Sequence, residues 1–220
     1  MTVARRLLAE ALGSALLLAI VVGSGIMGER LSGGNGAIAL LANSLATGAG
    51  LVVLSLWFAP LSGAHFNPAV SLAMALEKKL SWRDCLAYSA AQTIGALAGV
   101  ALAHLMFDLP LYAAGVKVRS GIGQFTSEVV AAFGLIGIIL ACLRTRPAAI
   151  PYAVGLYILA AYWFTASTSF ANPAVTVARA ASDTFANIRA EDVLPFIAAQ
   201  ILGALLAWLA HRGFWGKAAL

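Results

Sequence analysis

Apolar residues fill this chain in six long blocks, at 7–27, 37–58, 86–107, 125–143, 148–167 and 193–209, separated by short stretches that carry the charges. About 20 mostly apolar residues are needed for a helix to cross the hydrocarbon of a bilayer, and each block approaches that length. Two further apolar pieces, 70–76 and 175–181, each follow an Asn-Pro pair and are too short to span. The pattern predicts an all-α membrane protein with six transmembrane helices and two short re-entrant helices. Short, Pro-interrupted apolar segments at matching places in two halves point to a solute path.

Composition agrees. Hydrophobic residues make up 61% of the chain and charged residues 10%, with a mean hydropathy of +0.90. Soluble domains carry about 25% charged residues, so a soluble enzyme, a secreted disulfide scaffold and a disordered tail are all excluded. No polar stretch is long enough for a separate domain, and the reading is one membrane domain over 1–220. The first block follows Arg5 and Arg6 like a signal peptide, but its length and Glu10 favour a first spanning helix.

The net charge of +5 does not imply a nucleic-acid partner, because the basic residues form no patch. With both termini inside, Arg5, Arg6, Lys78, Lys79, Arg83, Arg144, Arg146, Arg212 and Lys217 lie on one side. Arg30, Lys117, Arg119, Arg179 and Arg189 lie on the other, together with Glu29, Asp108, Asp183, Glu191 and Asp192. That excess predicts cytoplasmic termini, with the chain a multi-pass protein of the cell's inner (plasma) membrane. Cys85 and Cys142 have no metal-ligand spacing and are read as packing residues; no metal or other cofactor is expected.

The chain repeats itself over the approximate halves 1–112 and 121–220. Glu10 and Glu128 each lie in the first helix of a half. HFNPAV at 65–70 matches FANPAV at 170–175, and AQTIGALAG at 91–99 matches AQILGALLA at 199–207. Three spans per half invert the second relative to the first. Asn is a preferred N-cap and Pro suits the first helical turn, so Asn67-Pro68-Ala69 and Asn172-Pro173-Ala174 read as two helix starts facing each other near the midplane. Each helix start carries roughly +0.5 of an elementary charge, which repels cations and protons while neutral molecules pass.

These paired Asn-Pro-Ala motifs, Ser62-Gly63-Ala64-His65 before the first of them, the Glu in each half and the Ala-Gln pairs resemble the aquaporin, or major intrinsic protein, family. The resemblance covers essentially the whole chain. It implies six tilted helices plus two half-helices, a passive pore in each protomer, usually a homotetramer, and no enzymatic activity. Most members place an Arg directly after the second motif, in a narrow outer filter; here Val175 stands there. By the family spacing Thr47, Ser169 and either Tyr162 or Ala160 complete the filter, Tyr162 requiring a segment two residues shorter than usual. Thr47, Tyr162, Ser169 and Val175 would form an uncharged constriction. The run after the second motif also resembles an aquaglyceroporin branch associated with arsenic resistance. It implies small neutral solutes, including arsenite, glycerol and water. A water-selective pore is the nearest alternative.

Three further residues carry two readings each. Glu10 and Glu128 could brace the re-entrant loops by accepting backbone N–H groups, or carry protons in a coupled secondary transporter. Arg179 lies one turn beyond Val175, about 6 Å along the helix axis. There it either restores a positive charge in the outer vestibule, or snorkels to the interface or pairs with Asp183. Gln92 and Gln200 are expected to tie helices together, and Gly95 and Gly99 to allow close packing. His65 is placed at the inner pore mouth, and His104 and His211 at membrane interfaces.

Overall fold

The computed structural model describes residues 1–216; Lys217, assigned above to the cytoplasmic side, lies outside the described residues. Eight α-helices follow one another: α1 (Val3–Leu31), α2 (Gly36–Ser62), α3 (Pro68–Leu76), α4 (Trp82–Met106), α5 (Ile122–Thr145), α6 (Ile150–Phe164), α7 (Pro173–Arg179) and α8 (Val193–Trp215). Six of them, α6 together with the 3-10 turn before it, are long and apolar enough to cross a membrane. The helices are all longer than the apolar blocks except α6. The fifth block overshoots because Thr165 turns extended at the C-cap and starts the loop into the second motif.

Local signals set the ends. Thr2, Asn35 and Ser81 accept hydrogen bonds from the first turns of α1, α2 and α4. Gly63 ends α2 at φ +96°, a left-handed conformation that glycine adopts without a Cβ clash. Pro60 falls in the last turn of α2.

The helices pair in the same way in each half. Helix α1 packs against α2 and α4, α5 packs against α6 and α8, and α2 meets α6 across the halves. Small residues make these crossings possible. A side chain at Gly95 would collide with the Ala11 carbonyl, one at Gly99 with the Ala15 carbonyl, and one at Gly203 with the Val129 carbonyl. Gly48 and Gly155 face each other where α2 crosses α6. Large apolar residues such as Val53, Trp57, Leu86, Ile94, Leu156 and Leu202 are left on the outside. A bilayer can cover that surface, and water cannot.

Candidate functional site

The site begins with two buried carboxylates. Glu10 of α1 accepts from Ser62 Oγ (2.6 Å), His65 N (3.0 Å), Phe66 N (2.7 Å) and Gln92 Nε2 (2.7 Å). Glu128 of α5 accepts from Ser167 Oγ (2.6 Å), Phe170 N (2.9 Å), Ala171 N (2.8 Å) and Gln200 Nε2 (2.6 Å). The partners correspond position for position in the two repeats. The same Gln side chains reach the half-helices, Gln92 to Ser71 Oγ (3.1 Å) and Gln200 to Thr176 Oγ1 (2.8 Å).

This bracing is needed because the loops adopt a costly backbone. Ala64 and Phe66 before the first motif, and Ser169 and Ala171 before the second, have φ between +48° and +51°. Non-glycine residues reach that region only when the surroundings hold them there, at about 1–3 kcal/mol each. The left-handed turns aim loop N–H groups at the carboxylates. They also leave the Phe66 and Ala171 carbonyls facing the opposite half.

Those carbonyls lock the motifs together. Asn67 Oδ1 caps α3 by accepting from Ala69 N (2.9 Å), while Asn67 Nδ2 donates to the Ala171 carbonyl (2.8 Å). Asn172 Oδ1 caps α7 by accepting from Ala174 N (3.0 Å), and Asn172 Nδ2 donates to the Phe66 carbonyl (2.8 Å). Pro68 and Pro173 occupy the first turns of their half-helices, and Ala69 and Ala174 are fully buried behind them. Each Asn amide therefore spends one N–H on the opposite loop and keeps only the second for the cavity beside it.

That cavity, about 490 Å³, runs from Pro60, His65 and Pro147 at one end, past both Asn side chains, to Arg179 at the other. Its walls are largely apolar, with Leu17, Val21, Leu51, Val70, Leu135 and Ile158 among them. Thr47, Tyr162, Ser169 and Val175 all line it and are all buried. Tyr162 Oη donates to Thr47 Oγ1 (3.4 Å), whereas Ala160 lies on the exposed side of α6. His65 lines the inner end, with Nδ1 3.0 Å from Ser71 Oγ.

Arg179 neither snorkels nor pairs with Asp183. It is 2% exposed, its Nε donates to the Ala186 carbonyl, and its guanidinium lies 3.4 Å from the Phe170 ring centroid. Asp183 instead accepts from Asn187 Nδ2 (3.2 Å). His104 is also corrected: it is buried at the end of α4 rather than interfacial. Its Nδ1 lies 2.6 Å from the Pro110 carbonyl and its Nε2 lies 2.9 Å from Ser182 Oγ, which fastens the outer loops.

Arg119 is the residue that sequence reasoning missed, having counted it only as an outer charge. The segment after α4 folds back over the Arg179 end of the cavity, where Gly115 N donates to the Ala180 carbonyl and Arg189 N to the Lys117 carbonyl. This buries Arg119. Its Nε donates to the Asn187 carbonyl (2.8 Å), its Nη1 to the Ser167 carbonyl (2.8 Å), and its guanidinium lies 4.7 Å from the Phe170 centroid. Burial pulls the Arg119 guanidinium down to about 10, still charged at neutral pH. Lys117 is lowered too, first by burial and then by the nearby charges of Arg119 and Arg179. No local pattern in the sequence marks Arg119, because its partners lie 48 and 68 residues away.

Two capped half-helices meeting head to head, each loop braced by a carboxylate from the first helix of its half, are the arrangement the repeat demands. The family model for the major intrinsic proteins matches residues 1–148. The chain belongs to the major intrinsic protein family. It is 60% identical over 203 residues to the aquaglyceroporin AqpS of Rhizobium meliloti, covering 92% of this chain and 87% of that one. It is 33% identical to glycerol uptake facilitator protein 3 of Lactiplantibacillus plantarum, covering 71% of each. The solved aquaglyceroporin of Plasmodium falciparum shares the fold, with a TM-score of 0.73, 24% identity and 99% of this chain covered. This member of the family is thus a multi-pass membrane protein and not an enzyme. Among the described residues, no cluster of three or more His, Cys, Asp or Glu could hold a metal ion.

Proposed function

We propose that this protein is a passive channel for small neutral solutes, conducting glycerol, water and trivalent arsenicals such as As(OH)3 through the cavity between the two motifs. One observation carries the reading: a single cavity is lined by both Asn side chains at the facing half-helix ends and by the uncharged Thr47, Tyr162, Ser169 and Val175. Helix dipoles at the midplane favour neutral cargo over cations. Val175, where the family resemblance implies an Arg, leaves this part of the lining without a fixed charge. A polyol or a metalloid hydroxide then meets hydroxyls and apolar wall there. Arg179, a turn further out, supplies the outer vestibule with its positive charge.

The names of the two curated relatives, an aquaglyceroporin and a glycerol uptake facilitator, support the solute class. In this reading residues 1–220 form one channel domain of two halves, the termini are cytoplasmic, the chain lies in the inner membrane, and four copies assemble. Glu10 and Glu128 act as braces, since each already accepts four hydrogen bonds.

Stopped-flow measurements on proteoliposomes test the proposal. Protein-dependent fluxes of glycerol and arsenite that follow the solute gradient alone are expected. No protein-dependent flux of either solute, or uptake that collapses with a proton gradient, would sink it. Val175→Arg is expected to cut glycerol and arsenite flux more than water flux.

A further inference from the structure

One end of the cavity holds Arg179, a buried cation with no ion pair among the described residues. Its only recorded hydrogen bond is from Nε to the Ala186 carbonyl. The buried acids Glu128 and Asp192 are already committed, and the exposed Glu29 acts on Lys117. Glu128 accepts from Ser167, Phe170, Ala171 and Gln200, while Asp192 pairs with Arg189 (2.8 Å) and accepts from Arg119 N (2.6 Å). A second guanidinium, Arg119, lies against the same Phe170 ring, and the Lys117 ammonium sits on the neighbouring Phe185 ring at 5.4 Å. Burying an unpaired charge is costly, and like charges gathered together add to that cost. A cation–π contact offsets only part of it.

The geometry points to a small planar oxyanion, a carboxylate, as the missing partner. Arg179 lines the cavity, and its terminal N–H groups have no hydrogen-bond partner among the described residues. A guanidinium fork fits a carboxylate bidentately, which an ammonium cannot do. Cavity apolarity next to the fork, from Val175 and Phe170, strengthens such a contact by excluding water. We therefore infer a carboxylate-binding site at the outer mouth, built on Arg179 with Arg119 and Lys117 adding to the local positive field. It rests on the channel reading for its consequence only: a bound carboxylate occupies the entrance and blocks neutral solutes.

Isothermal titration calorimetry of the full chain in detergent, with sodium formate as probe at low and constant ionic strength, tests the site directly. The expected result is saturable binding, weakened about tenfold or more in Arg179→Lys, which keeps the charge but loses the fork. Arg179→Gln is expected to abolish it; should that variant fail to elute as a folded species, Arg179→Lys decides alone. No saturable binding by the natural protein, or binding by Arg179→Lys within about twofold of it, overturns the inference. Glycerol flux in vesicles from the same preparation keeps the two readings apart. Flux without formate binding leaves the channel standing and removes the site, whereas binding without flux removes the channel and leaves the site.

Discussion

The two half-helices are near copies up to a point, and then they part. Val70 and Val175 stand three residues after their Asn, and both line the cavity. Four residues on, α3 offers Met74 and α7 offers Arg179. His65 on one loop corresponds to Phe170 on the other, so the inner end has an imidazole and the outer end a ring carrying two guanidiniums. The shared part is backbone chemistry: caps, left-handed turns and carboxylate braces that hold a path open. The part that differs is side-chain chemistry at the two ends of the cavity. Symmetry builds the route here, and the two ends depart from it in their side chains.

The comparison can be broken most severely at the braces. Glu128→Ala and Glu10→Ala each strand buried backbone donors, at about 1–3 kcal/mol per donor, so each is expected to cost about 4 kcal/mol or more. Loss of folded protein in size-exclusion chromatography would record it, and the two substitutions should be nearly equal if the halves are equivalent. Gly95→Leu and Gly203→Leu come next. Both force a side chain into a carbonyl of the neighbouring helix, and a cost of about 3 kcal/mol is expected for each in thermal unfolding.

Met74→Arg makes the inner end resemble the outer one. It puts an unpaired cation into an apolar wall, and glycerol flux is expected to fall about tenfold, equivalent to roughly 1.4 kcal/mol on the barrier. Unchanged stopped-flow rates would mean that Met74 does not face the path. The smallest effect belongs to Tyr162→Phe, which removes the 3.4 Å contact to Thr47. A loss of about 0.5 kcal/mol in stability is expected, with glycerol flux altered less than by Val175→Arg.

Much of the architecture was legible before any coordinates. The six apolar blocks lie within or closely overlap the spanning helices because bilayer thickness forces a length on each, and composition alone satisfies that demand. Asn67-Pro68 and Asn172-Pro173 begin helices because capping is a contact within a few residues. Gly95 and Gly99 carried a signal through their four-residue spacing, and the Glu and Gln pairs through their repetition. Ala64, Phe66, Ser169 and Ala171 gave none, since their left-handed conformations are imposed by carboxylates from another helix.

What the sequence by itself determined is the set of helices, their inverted repetition and the pair of facing caps, all products of short-range patterns or of length. Only the tertiary structure decided that each Asn spends an N–H on the opposite loop, that His104 is interior, and that Arg119 and Arg179 share one aromatic ring. The physical reason is the range of the interactions. Caps and spans are fixed within a few turns of chain, whereas a buried guanidinium is placed by carbonyls and rings that only the folded outer loops bring to it.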